Sequence, residues 1–211
     1  MRLVLVSDTH GFHLRMPPPP EGDIIVHAGD LTLGGTLQEV ATFFEWFQTL
    51  PHPHKVVIAG NHDFAFERQP PAAEGLVPAN VIYLRDAGVE IEGLRFWGSP
   101  WQPWFQDWAF NLQRGSEIAS KWSLIPEDVQ VLVTHGPPRG ILDETLDAPP
   151  ERAGCEALAA RIADLRRLRV HVFGHIHEAY GTVIQDGRTF VNASICDFRY
   201  SPCNSPVVID L

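Results

Sequence analysis

The chain has 211 residues, of which 45% are hydrophobic and 20% charged, the composition of an ordinary globular protein long enough to bury a core as one domain, residues 1–211. Its formal net charge is -10 at pH 7, which argues against a duplex nucleic-acid surface, since phosphate neutralisation needs clustered Lys and Arg. No stretch approaches the ~20 apolar residues of a membrane helix, so no membrane partner is expected.

Residues 3–6 read as a buried strand that stops at Ser7-Asp8-Thr9-His10-Gly11. This apolar run is too short for the core of a signal peptide, and a cytoplasmic setting is expected. After a proline-rich loop at 17–20, residues 24–26 form a second strand, ending at His27-Ala28-Gly29-Asp30. Residues 36–50 read as a helix with Leu37, Val40, Phe44 and Phe47 on one side. Residues 56–59 are a third strand, ending at Gly60-Asn61-His62-Asp63. Residues 89–91 and 94–97 flank Glu92-Gly93 as a hairpin. The aromatic stretch 96–110 follows, with Trp101, Trp104 and Trp108 at helical spacing, which reads first as a core-facing stripe.

Residues 131–133 form a strand that ends at Thr134-His135-Gly136, and residues 154–168 a helix with Leu158, Ile162 and Leu165 at helical spacing. A strand at 170–173 ends at Gly174-His175-Ile176-His177. Residues 182–185 and 189–191 flank Asp186-Gly187 as a second hairpin, and 207–209 form a last strand. Alternating strands and helices argue for an α/β protein, and the hairpins require a mixed sheet or two sheets. Cys155, Cys196 and Cys203 have no CxxC spacing and read as reduced thiols.

Each polar cluster alone is an ordinary strand end, cap or turn. Five of them at the C-terminal ends of buried strands imply one shared site, because open α/β sheets bind ligands beyond those ends. Asp8 and His10, two apart, point to the same side of a strand; His175 and His177 have the same spacing. Asp30 can bridge two cations with its two oxygens, and Asn61 offers a neutral carbonyl. Pooled carboxylates, imidazoles and one amide suit two divalent cations, and two cations imply phosphoester chemistry.

The series Asp8-x-His10, Gly29-Asp30, Gly60-Asn61-His62-Asp63, His135-Gly136 and Gly174-His175-x-His177 resembles the calcineurin-like metallophosphoesterases, in the same motif order and over nearly the whole chain. The resemblance implies a four-layer α/β/β/α sandwich with two mixed β-sheets. It also implies that Asp8, His10, Asp30 and His177 hold one metal, and Asp30, Asn61, His135 and His175 the other. His62 corresponds to the histidine that is not a ligand and serves as general acid or binds phosphate. The implied reaction is attack on phosphorus by a hydroxide shared between two cations of the Mn, Fe, Zn, Ni or Mg kind.

Protein phosphatases of this superfamily carry an Asp and an Arg shortly after the Gly-Asp motif. Here those positions are Leu33 and Gly34, so a clamp for monoesters is missing there. The segments Gly98-Ser99-Pro100-Trp101-Gln102-Pro103 and His135-Gly136-Pro137-Pro138-Arg139-Gly140 resemble a narrower subgroup, the metallophosphoesterase-domain-containing phosphodiesterases. The expected substrate is therefore a small phosphodiester such as a cyclic nucleotide. Arg139 is a candidate substitute clamp and Trp101 or Trp104 a candidate stacking partner for a base; residues 198–200 are a further candidate pocket wall. A phosphomonoesterase, a nuclease for short single strands and a weakly active metal-binding scaffold are the competing readings.

Overall fold

The computed structural model describes residues 1–146 and 148–211. In chain order its elements begin with β1 (Arg2–Val6), β2 (Ile24–Ala28), α1 (Leu37–Phe47), β3 (His54–Ile58), α2 (Phe64–Arg68) and α3 (Pro70–Glu74). There follow β4 (Ile82–Tyr83), β5 (Ala87–Ile91), β6 (Leu94–Ser99), β7 (Gln102–Pro103), β8 (Asn111–Leu112) and α4 (Ser116–Trp122). The last are β9 (Val131–Thr134), α5 (Glu156–Asp164), β10 (Val170–Phe173), β11 (Gly181–Gln185), β12 (Arg188–Asn192) and β13 (Val207–Asp210).

Two large sheets form, with strand orders β13-β1-β2-β3-β4 and β11-β12-β10-β9-β6-β5. Both are mixed. In the first, β1 to β4 run parallel and β13 is antiparallel to β1. In the second, β12, β10, β9 and β6 run parallel, and the two hairpins supply the antiparallel edges.

Alternation along single strands produces the layers. Leu3 and Leu5 of β1 face the space between the sheets, where they join Val26, Ile58, Val133 and Val172. Val4 and Val6 face the other way, onto Val40, Phe43, Phe44 and Phe47 of α1. On the second sheet Leu132 faces outward onto Ile118 and Trp122 of α4 and Leu158 and Ile162 of α5. Helices thus cover both outer faces, giving the α/β/β/α sandwich that was expected. Each buried aliphatic side chain contributes about 1.5–3 kcal/mol of transfer free energy, and because both faces are covered the strands read as unbroken apolar runs.

The helices are shorter than expected from periodicity. Thr36 caps α1, and Thr36 with Glu39 forms a capping box, so the start matches the reading but the helix stops at Phe47. Helix α5 covers only Glu156–Asp164, because Cys155 is extended and Leu165 turns away while staying buried. The tryptophan stretch is not helical. Trp101, Trp104 and Trp108 lie in and around the small β7–β8 pair, and Pro100 and Pro103 explain why helical spacing there builds no helix. Among the described residues no helix is long and apolar enough to cross a membrane.

Candidate metal centre

The parallel strands of both sheets deliver their carboxyl ends to one place. Asp8 and His10 follow β1, Asp30 follows β2, and Asn61 and His62 follow β3; His135 follows β9, and His175 and His177 follow β10. Their donor atoms form a continuous series. Asp8 Oδ1 lies 3.4 Å from His177 Nε2, which is 3.1 Å from His10 Nε2. Asp30 Oδ2 stands between His10 Nε2 at 3.7 Å and His135 Nε2 at 3.4 Å. Asn61 Oδ1 then lies 2.8 Å from His135 Nε2 and 2.7 Å from His175 Nδ1. Asp8, His10 and His177 form one set whose donors are all within 4.8 Å of one another; Asp8, Asp30 and His135 form another.

Unusual backbone holds these groups in place. Asp8, His10, Asp30 and His175 have φ of 52°, 43°, 55° and 68°. Such left-handed conformations cost non-glycine residues on the order of 1–2 kcal/mol each. Cross-strand bonds restrain them, from Asp8 N to Gly29 O at 2.9 Å and from His10 N to Asp30 O at 3.0 Å. Two neighbouring glycines allow close approach. A Cβ on Gly174 would overlap Asp8 Oδ2, and one on Gly60 would overlap Asp30 Oδ1.

A second ring of contacts orients the donors. His135 Nδ1 donates to Ala28 O at 3.0 Å and His177 Nδ1 to Asp197 O at 2.9 Å, since a carbonyl can only accept. Each ring therefore turns Nε2 inward, where loss of its proton frees the lone pair that a metal-ligating histidine uses. Asp8 accepts from the backbone N–H of His175 at 3.1 Å and from Ser194 Oγ at 2.9 Å. Ser194 and Asp197 were not singled out from the sequence. A serine, and a residue acting through its carbonyl, leave no motif to detect.

The electrostatics ask for positive charge. Burial would raise the Asp8 carboxyl, but the hydrogen bond and charge of His177, with His135 and His10, hold it well below the usual range. Burial likewise opposes ionisation of Asp30, and His135, His62 and His10 outweigh it. Burial would lower His135, yet the charge and hydrogen bond of Asp30, with Asp8, raise it to about 9. Burial dominates at His10, pushed down to about 4, and at His175, pushed down to about 3. Two buried carboxylates thus retain protons on some imidazoles and leave others neutral with free lone pairs. A divalent cation meets the same demand by displacing those protons, so the donor set fits hard or borderline metal ions.

His62 forms a third such set with His10 and Asp30, but its other partners differ from those of the candidate ligands. Its Nδ1 donates to Leu33 O at 2.8 Å, and its ring packs on Trp108 with centroids 4.2 Å apart. Its backbone N–H donates to Asp30 Oδ1 at 2.8 Å. The adjacent Asp63 does not pair with the His62 ring; its carboxylate accepts from Leu31 N, Thr32 N, Thr32 Oγ1 and Gly60 N. Asp63 sits at the start of α2 and is committed to the Gly60–Thr32 backbone network instead.

A cleft of about 320 Å³ opens over the cluster, lined beyond the candidate ligands by Phe105, Gln106, Trp108, Glu178, Phe198 and Tyr200. The Tyr200 ring sits 4.8 Å from that of His10 and 5.3 Å from that of His177. Arg139 and Trp101 are not among the lining residues. Arg139 Nη1 donates to Glu156 and to Arg152 O, both at 3.0 Å. Trp101 Nε1 donates to Asp86 at 2.9 Å, and its ring packs against Phe110 and under Lys121.

The calcineurin-like phosphoesterase family matches residues 1–179. Fold, donor cluster and family match define a metal-dependent phosphoesterase. Human metallophosphoesterase domain-containing protein 1 is 44% identical over all of this chain and 71% of its own length. UPF0046 protein C25E10.12 of Caenorhabditis elegans is 35% identical over all of this chain and 81% of its own. The solved structure of TT1561 of Thermus thermophilus shares the fold, with a TM-score of 0.60 at 13% identity, over 90% of this chain and 88% of that one. The chain belongs to the calcineurin-like phosphoesterase family.

Proposed function

We propose that this chain, acting as one domain, hydrolyses small organic phosphodiesters such as cyclic nucleotides with two divalent cations at the strand ends. The observation that carries the choice of diester is the cleft wall. Among the described residues lining it there is no Lys or Arg, and Glu178 is acidic. A dianionic monoester finds no fixed cation there beyond the metals, whereas a diester carries one negative charge and an extra organic group for the aromatic walls.

Asp8, His10, Asp30 and His177 would hold one cation, and Asp30, Asn61, His135 and His175 the other, with Asp30 shared. When bound, the cations supply an acidified water as nucleophile and neutralise charge on the phosphoryl oxygens. The chain's own contribution centres on His62. With Nδ1–H committed to Leu33 O, its Nε2 is the position for a mobile proton, given to the departing alkoxide. Nitrogen and oxygen donors without thiolate suit Mn, Fe, Zn, Ni or Mg. The unpaired state of Cys155, Cys196 and Cys203 supports a reducing, cytoplasmic setting.

The test loads purified protein with Mn²⁺ and compares bis(p-nitrophenyl) phosphate, p-nitrophenyl phosphate and 2′,3′- and 3′,5′-cyclic nucleotides. Diester turnover is expected. Turnover of the monoester alone would overturn the diesterase reading, and two bound metals without turnover of any ester would leave a metal-binding scaffold.

A further inference from the structure

We infer that a second pocket, walled by Trp104 and Phe105, receives the other ester group of an acyclic diester and that this group is planar and aromatic. The inference rests on the diesterase reading above and goes beyond it by giving the second substituent a place and a chemistry.

The pocket has a volume of about 340 Å³, and its apolar walls are Pro103, Trp104, Phe105 and Ile176. It shares Phe105 and His175 with the cleft over the metal centre, so the two cavities meet at one ring beside a candidate ligand. An acyclic diester has two separate organic groups on phosphorus, whereas a cyclic nucleotide has one ribose joined twice and would use the first cleft alone. With the phosphoryl group on the cluster and one substituent in the Trp108–Tyr200 cleft, the second needs a place of its own, and this pocket adjoins the cleft at Phe105 and His175.

Its aromatic walls are held outward. Trp104 is 52% exposed and Phe105 55%, while every other tryptophan of the chain is half-buried or buried. The segment carrying them is tightly braced. Trp104 N donates to Leu112 O at 2.8 Å, and Asn111 Oδ1 accepts from Phe105 N at 3.3 Å and Gln102 Nε2 at 3.2 Å. Asn111 Nδ2 donates back to Phe105 O at 3.2 Å and Gln106 O at 3.0 Å. A braced backbone carrying two exposed rings leaves only side-chain ordering to be done on binding.

The polar rim argues against a second anion. Arg114 is committed to Ala153 O, Gly154 O and Glu156, and Arg152 to Asp143. Their charge is largely answered within the protein. Glu151 adds negative charge to the rim, and the flat indole and phenyl ring suit the π-face of a nucleobase or an aryl group.

The test compares bis(p-nitrophenyl) phosphate with methyl p-nitrophenyl phosphate. Both expel p-nitrophenoxide, so they differ only in the group that stays. Trp104→Ala should lower the ratio of kcat/KM for the diaryl over the methyl ester by about fivefold or more, the usual loss when one stacking partner is removed. Trp104→Phe should retain most of the ratio. Binding of diphenylphosphinate, whose P–C bonds are not hydrolysed, to the Mn²⁺-loaded protein, by calorimetry, reads the pocket without turnover, and Trp104→Ala should weaken it similarly. Diester turnover with an unchanged ratio overturns the pocket and leaves the diesterase reading standing. Trp104-dependent binding of the phosphinate, with no turnover of either ester by the Mn²⁺-loaded native protein, supports the pocket and overturns the reaction. Binding indifferent to Trp104 overturns the pocket outright.

Discussion

The backbone carbonyl of Leu33 accepts the Nδ1–H of His62 at 2.8 Å, so a position that carries an acidic side chain in related phosphatases here orients the candidate acid through its main chain. Leu33 is held in turn by Glu39. The Glu39 carboxylate accepts from Leu33 N at 3.1 Å, Gly34 N at 2.9 Å, Thr36 N at 2.9 Å and Thr36 Oγ1 at 2.7 Å. Glu39 is therefore a positioning residue for His62, acting through the loop backbone. Glu39→Ala should lower kcat by roughly threefold to tenfold with KM and bound metal little changed, alongside a helix-cap loss of about 1 kcal/mol. Glu39→Gln should restore part of kcat. Steady-state kinetics with metal analysis of each variant checks this, and equal loss of stability without any change in kcat would show that the loop does not guide His62.

Asp30 and His62 should separate binding from chemistry. Asp30 Oδ2 faces His10 and His135, and Oδ1 accepts from His62 N, so one carboxylate ties both halves of the cluster together. Asp30→Asn should reduce bound Mn²⁺ by at least about half and abolish the rise in Tm that excess metal gives the native protein, a rise expected from mass action. His62→Ala should keep the metal and lose about 10²–10⁴ in kcat. Metal content by elemental analysis decides between them; loss of metal in His62→Ala would make His62 a ligand.

How far the sequence could be read follows from what each interaction is made of. Strands β1, β2, β3, β9 and β10 were legible because both of their faces are covered, which leaves unbroken apolar runs. The glycines beside the polar clusters were legible too, and Gly60 and Gly174 show their reason in the carboxylate oxygens where a Cβ would stand. Interactions made by main-chain atoms were not. The carbonyls of Leu33, Ala28 and Asp197 orient three histidines, and any residue type could supply them. Trp108 shared its helical spacing with Trp101 and Trp104, but only folding sends it onto His62, Trp101 onto Phe110 and Trp104 to the surface.

Gly174 tests the close packing directly. The residue has no positive φ, so alanine meets no backbone penalty there, yet its Cβ would fall on Asp8 Oδ2 and on Ser7 Oγ. Asp8 is buried and held by His175 N and Ser194 Oγ, and cannot withdraw freely. Gly174→Ala should therefore displace the Asp8 carboxylate, lower stability by about 1–3 kcal/mol as overpacking does, and weaken metal binding more than Gly187→Ala at the open Asp186-Gly187 turn. Calorimetric titration with Mn²⁺ measures it, and undiminished affinity would show that Asp8 is not needed as a ligand.

His171 gives the fold a built-in acid sensitivity independent of metal. It lies on β10, its ring near Phe173 and Phe190, and it is fully buried. Thr134 Oγ1 donates to Gly136 O at 2.8 Å, so its lone pair accepts the Nε2–H of His171 at 2.8 Å. Among the described residues Nδ1 has no partner, and burial pushes the imidazole down to about 3. The folded state thus binds fewer protons than the unfolded state, whose histidine titrates near 6.5. Stability is therefore fully present above about pH 6.5 and falls as pH drops from there toward 3, by at most about 1.4 kcal/mol per pH unit. Between pH 7 and pH 5 the group accounts for about 2 kcal/mol. His171→Phe leaves Thr134 its bond to Gly136 and adds no proton site, so its urea-unfolding free energy, measured after chelation of metal, should drop by about 2 kcal/mol less than that of the native chain over the same interval. His27, also buried and lowered to about 3, keeps part of the acid loss in the variant. An identical loss in both proteins would mean that His171 is already neutral in the unfolded chain or is protonated without unfolding, and the orphaned Nδ1 would then need a partner in the acid form.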